Sequence, residues 1–240
     1  MYILALATDY DETLAEHGLI SDETYAALER LAKTGRKLIM VTGRELDDLA
    51  QMFPKLDIFD KVVAENGALL YTPATKTERV LSLAPPIKLV EKLQSLGVTP
   101  LSVGRSIVAT REPYEKVALD VIKELGLEHE IIFNKGAVMI LPSGVNKATG
   151  LAAALKELEL SPHNVIAAGD AQNDHAMLRM VGYGVAVANA LPEVKDTADH
   201  VTQGSRSAGV IELIDQLVSL DCRFVETSRH RSGAPPLPAD

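Results

Sequence analysis

With 240 residues, 47% of them hydrophobic and 24% charged, the chain has the makings of one large domain or two modest ones with an ordinary core. A formal net charge of −9 argues against a general nucleic-acid surface, and no apolar run approaches the roughly 20 residues that cross a bilayer. Cys222 is the single cysteine, which excludes an internal disulfide framework and points to the cytoplasm.

The first element in chain order is an apolar run at residues 3–7, which leads into Thr8-Asp9-Tyr10-Asp11. The two aspartates break this stretch before a secretory leader can form. Ser21 reads as a helix N-cap, followed by a stripe of Tyr25, Leu28, Leu31 and Ala32 and a stop at Gly35. Further short runs follow: residues 37–41 lead into Thr42-Gly43-Arg44, and 61–64 into Glu65-Asn66-Gly67. Later, 165–168 lead into Gly169-Asp170, and 184–188 into Asn189. Runs of this kind are strands buried on both faces. Leu151, Leu155 and Leu158 stripe a helix after Lys147, and Pro192 opens a short one. Strands alternating with helices predict a doubly wound α/β parallel sheet, whose ligands bind beyond the carboxyl ends of its strands.

The middle of the chain changes character. It predicts a helix (87–96), strands at 99–103 and 106–110, a helix (113–125), and strands at 129–134 and 137–141. The αββαββ order implies a separate α+β module over residues 84–141, inserted between core segments 1–83 and 142–221. Residues 222–240, which hold Arg, His, Ser and four Pro or Gly residues, read as a poorly structured tail.

The chemistry sits in the strand-end loops. Asp9 and Asp11, two apart, point the same way, and two close carboxylates call for a hard cation such as magnesium. Asp170 and Asp174 offer two more oxygen ligands. Taken alone, Asp9 and Asp11 have turn-capping as the less favoured alternative, whereas Thr42-Gly43-Arg44 and Lys147 are more simply an ordinary N-cap and a solvated lysine.

Together, DYDET (Asp9 to Thr13), Thr42 in VTGR, Lys147 in GVNKATGL and GDAQND (Gly169 to Asp174) resemble the haloacid dehalogenase superfamily of phosphohydrolases, in order and in spacing. VVAENGALL around Asn66 and the stretch from Gly184 resemble its Cof-type subgroup, which carries a cap between the second and third motifs. The resemblance implies a Rossmann-like core, a short αββαββ cap and magnesium-dependent hydrolysis of a small phosphorylated metabolite. Asp9 would be the nucleophile and Asp11 the general acid and base. Asp9, Asp11 (through its main-chain carbonyl), Asp170 and Asp174 would hold the metal. Thr42, Gly43, Lys147 and Asn173 would hold the phosphoryl group. Arg44, Asn66, Arg111 and Lys135 are candidates for substrate contact, with Arg105, Lys116 and Asn134 as further cap residues. Phosphoglycolate and sugar phosphates are the substrates such short caps suggest. A phosphomannomutase-like transferase and a catalytically weak binding protein on the same fold remain open. So do monomer and homodimer. Glu12 departs from the family's usual glycine, either pointing to solvent or adding charge near the metal.

Overall fold

The computed structural model describes residues 2–219, so the expected C-terminal tail lies outside the described residues. The chain forms strand β1 (Ala5–Thr8), helix α1 (Asp22–Ala32), β2 (Lys37–Val41), α2 (Leu46–Met52), β3 (Lys61–Ala64), β4 (Leu69–Thr72) and β5 (Thr77–Val80). The middle segment gives α3 (Ile87–Ser95), β6 (Ser102–Val103), β7 (Val108–Arg111), α4 (Glu115–Glu124), β8 (His129–Asn134) and β9 (Ala137–Pro142). The chain then returns through α5 (Lys147–Glu157), β10 (Val165–Gly169), α6 (His175–Met180), β11 (Tyr183–Ala186), α7 (Pro192–Thr197), β12 (His200–Val201) and α8 (Ser207–Ser219).

The large sheet has the order β12-β11-β10-β1-β2-β3-β4-β5. Its first six strands are parallel, as expected, and β4 and β5 extend it by antiparallel pairing. These two strands were not separated in the sequence: β5 is exposed along its whole length and shows no apolar alternation. Residues alternate between two layers. Leu6, Leu38, Met40, Val62 and Ile166 face α1, α2 and α8, while Ala5, Ala7, Ile39, Val63 and Ala167 face α5, α6 and α7. Ser21 caps α1 by accepting from the Thr24 N–H, and Pro192 opens α7. None of the described helices is long and apolar enough to cross a membrane.

From β1 the chain winds outward through β2 and β3, then returns to the other side of β1 through β10, β11 and β12. The switch point therefore lies between β1 and β10, and the loops after them carry Asp9 and Asp170. Close packing fixes the third loop. A Cβ on Gly150 would lie 2.5 Å from Gly67 Cα, so α5 seats its first turn directly on the residue 65–67 turn.

The insert is a four-stranded antiparallel sheet, β6-β7-β9-β8, with α3 and α4 on one face. The expected strand at 99–103 is reduced to Ser102–Val103, because Pro100 has no N–H to donate to a ladder. The other face, with Ile107, Met139 and Leu141, packs on Ala68 of the large unit.

Candidate active site at the switch point

Asp9 follows β1 directly and is held there by its N–H donating to Ala168 O at 2.9 Å. It is 4% exposed, and its Oδ1 accepts from Lys147 Nζ at 2.5 Å. Lys147 is the first residue of α5, which is capped by a reciprocal Asn146–Thr149 box, and it is fully buried. The same ammonium donates to Asp174 Oδ1 at 2.7 Å. Asp174 Oδ2 accepts the N–H groups of Asp170 and Ala171, both at 3.0 Å. Asp170, 1% exposed, accepts from Thr13 Oγ1 at 3.2 Å and from Lys135.

Asp9, Asp170 and Asp174 each present an oxygen, and these three oxygens lie within 4.8 Å of one another. Burial raises the Asp9 carboxyl well above the carboxylate range; Lys147 opposes the rise, and Asp174 and Asp170 add to it. Asp170 is raised for the same first reason. Asp9 and Asp174 share the buried Lys147 ammonium and Asp170 pairs with the part-exposed Lys135, so three carboxylates meet two ammonium groups and one negative charge is left over. An all-oxygen donor set with that excess fits a hard divalent cation. Among the described residues, Asp9 Oδ2 carries no hydrogen bond.

The Asp11 carboxylate lies outside this triad. It accepts from Arg44 Nε and Nη2, each at 2.8 Å, a bidentate grip between the loops that follow β1 and β2. Arg44 also pairs with Asp48 and lies over Tyr10, so it is committed to structure rather than free for substrate. Thr42 is fully buried, its hydroxyl accepting the Arg44 N–H at 3.1 Å. A Cβ on Gly43 would lie 3.7 Å from Asn173 Nδ2 and 3.3 Å from Met139 Sδ of the insert. Asn173 Nδ2 donates to Asn66 Oδ1 at 3.0 Å, leaving Asn66 Nδ2 and Asn173 Oδ1 buried without partners. Asn66 Nδ2 is thus a buried donor close to the Thr42 loop.

Of the insert's candidates, Lys135 reaches the site itself, on Asp170. Arg111 and Lys135 line a cleft of about 590 Å³ together with Ser102, Ala109 and Ala137. Arg105 is bound to Asp47 and Glu78 of the large unit. Lys116 sits exposed on α4, the helix layer on the far face of the small sheet. Asn134 ends β8 with its Oδ1 buried and unpartnered.

The family comparison agrees with this geometry. The model of the haloacid dehalogenase-like hydrolases matches residues 6–99 and 91–214. The chain belongs to the haloacid dehalogenase-like hydrolases. It is 34% identical to phosphoglycolate phosphatase 2 of Saccharolobus solfataricus, over 90% of this chain and 93% of that protein. It is 29% identical to a phosphoglycolate phosphatase of Methanothermobacter thermautotrophicus, over 88% and 96%. A solved subclass IIB sugar phosphatase of the haloacid dehalogenase superfamily shares the fold at 21% identity, with a TM-score of 0.74 over 89% of this chain and 98% of its own. This hydrolase is accordingly a phosphatase with an αββαββ cap.

Two residues of the hydrolase were undervalued in the sequence. Thr13, the last position of DYDET, holds Asp170 across the switch point. Glu12 takes a left-handed φ of 60°, which explains why the family favours glycine there. Its carboxylate neither points to open solvent nor joins the metal triad. Arg206 Nε donates to it at 2.6 Å, and Asn189 holds its carbonyl at 2.8 Å. Partial burial works the other way, yet the Arg206 guanidinium holds this carboxyl below its ordinary value. Glu12→Gly removes a half-exposed pair, worth up to about 1 kcal/mol, and relieves a backbone cost of about the same size. Thermal melting and phosphate release should therefore stay close to wild type. A changed magnesium affinity in isothermal titration would contradict this placement.

Proposed function

We propose that this phosphatase hydrolyses a small carboxylated phosphomonoester of the phosphoglycolate type, with magnesium, in two steps that begin at Asp9. The observation that carries the reading is Asp9 itself: buried at the switch point, anchored through Oδ1 and free at Oδ2, beside two further carboxylates. Asp9 Oδ2 attacks phosphorus in line with the leaving oxygen, forming an acyl phosphate and breaking the P–O ester bond. Asp11, once it leaves the Arg44 guanidinium and takes up a proton from solvent, gives that proton to the leaving alkoxide and then takes one from the water that cleaves the acyl phosphate. Thr42, Gly43, Asn66 and Asn173 surround the phosphoryl oxygens, and Lys147 fixes Asp9 in place. Asp9, Asp170 and Asp174, with the Asp11 carbonyl, would hold magnesium, which when bound supplies positive charge beside the phosphoryl oxygens.

The substrate class rests on the cap, residues 84–141. Arg111 lines the cleft with no ion pair among the described residues, and Lys135 lines it beside the site. Two cations in one cleft suit a leaving group that carries a carboxylate. The phosphoglycolate phosphatases among the relatives support the same choice. The single cysteine agrees with a cytoplasmic enzyme. The test is a phosphoester panel with magnesium, with and without chelator. Phosphoglycolate should release phosphate fastest, and chelator should stop release. Arg111→Ala should raise KM for phosphoglycolate by about 10–100-fold, the loss of one charge-assisted bond, while sparing p-nitrophenyl phosphate. Sugar phosphates turned over faster than phosphoglycolate would sink the carboxylate reading.

A further inference from the structure

Glu65 is fully buried, yet it is neither in the carboxylate triad nor in an ion pair. Its carboxylate crosses from the core to the cap and accepts three consecutive main-chain N–H groups. Arg105 N donates to Oε1 at 2.9 Å, and Ser106 N and Ile107 N donate to Oε2 at 2.8 and 3.1 Å. These amides form the tight turn between β6 and β7. A Cβ on Gly104 would lie 2.7 Å from Glu65 Cδ, so the turn closes on the carboxylate without slack.

The other end of Glu65 is tied to the phosphate loop. Glu65 N donates to Arg44 O, and Asn66 N donates to Thr42 O, both at 2.9 Å. Both residues hold left-handed φ angles, 51° and 54°, each costing about 1–3 kcal/mol unless the surroundings enforce it. Asn66, the next residue, meets Asn173 in the phosphoryl pocket. One short turn thus joins the loop that would receive the phosphoryl group to the cap that would read the rest of the substrate.

We propose that Glu65 is a positioning residue, whose carboxylate sets the register of the cap on the phosphate loop by binding the main chain of one cap turn. With that turn fixed, Met139 sits over Gly43 and Lys135 reaches Asp170. A glutamine there keeps one acceptor oxygen but turns an NH₂ toward at least one of the three N–H donors, so the grip is weakened at nearly constant shape.

The kinetic arm of the test rests on the proposed phosphatase reaction; the exchange arm does not. Both arms use the full-length, magnesium-loaded enzyme and compare wild type, Glu65→Gln and Gly104→Ala. Gly104 is not left-handed, so alanine there adds only the methyl that displaces Glu65, from the cap side. Hydrogen exchange at residues 105–107 should quicken by about tenfold or more in both variants, with β10 amides unchanged. The kcat/KM for phosphoglycolate should fall by a similar factor, while the inhibition constant of inorganic phosphate, which needs only the core pocket, stays within about twofold. Unchanged exchange at 105–107 in either folded variant would overturn the proposal, as would phosphate inhibition that weakens in step with kcat/KM. Should one variant fail to fold, the other carries both arms. A wild type that hydrolyses no phosphoester refutes the proposed reaction and leaves the exchange arm to decide the role of Glu65.

Discussion

Asp9→Asn is expected to lower kcat for phosphoester hydrolysis by at least about a thousandfold while the protein remains folded, because an amide cannot serve as the nucleophile. The side chains are close in volume, and the buried site loses one of three mutually repelling carboxylates, so the fold is not penalised for charge. Lys147 keeps Asp174 as a partner. Circular dichroism and thermal melting should match wild type to within a few degrees. Retained turnover, measured as free phosphate over a full reaction course, would remove Asp9 from the nucleophile's place. Asp170→Asn makes a useful companion, since its loss should be partly recovered by raising magnesium.

The second large effect falls on stability. Lys147→Met fills similar volume but leaves Asp9 and Asp174 without the ammonium they share. Breaking a buried pair by removing one partner costs about 3–5 kcal/mol, much of the stability of an ordinary domain. The sign with pH follows from both partners. Burial alone would lower the Lys147 pKa, but the carboxylates of Asp174 and Asp9 outweigh it and hold it above the ordinary lysine value. The contribution of Lys147 is therefore fully present below about pH 10, and it is lost as pH rises through the elevated folded value. Asp9, raised by burial, stays protonated further up the pH scale in the folded protein than in the unfolded one. Without Lys147 the variant should thus lose stability as pH rises from the acid range to neutrality, and acidification should narrow its deficit. Urea melts of both proteins at pH 5, 8 and 10.5 check the pattern. A deficit under about 1 kcal/mol at pH 8 would mean that the ammonium holds nothing together.

What the sequence made legible was local. Asp9, Lys147, Asp170 and Asp174 each sit at a strand end or helix start that short apolar runs and a leucine stripe mark out, so the loops that meet at the switch point were readable as neighbours. Pairings across the fold were not. Arg44 grips Asp11 from 33 residues away, and only the adjacency of β1 and β2 brings them together. Glu65 stood beside Asn66 in a motif that drew attention to the asparagine, while its partners are main-chain amides 40 to 42 residues on, which carry no side-chain signature. Strand β5 was hidden for a different reason. It is an exposed edge, where burial imposes no pattern on the residues. Cap cations were visible as residues but not as roles: Arg105 and Arg111 look alike in sequence, yet one is spent on Asp47 and Glu78 and the other lines the cleft.

A phosphoryl group that passes through Asp9 leaves a covalent trace on that side chain. Mixing magnesium-loaded enzyme with phosphoglycolate, quenching in acid within the first turnover and mapping the peptides by mass spectrometry tests for it most directly. A phosphoryl group is expected on Asp9, absent from Asp9→Asn and longer-lived in Asp11→Asn, whose side chain cannot activate the water. Full turnover with no phosphorylated Asp9 at any quench time, in wild type and in Asp11→Asn alike, would contradict a route through Asp9.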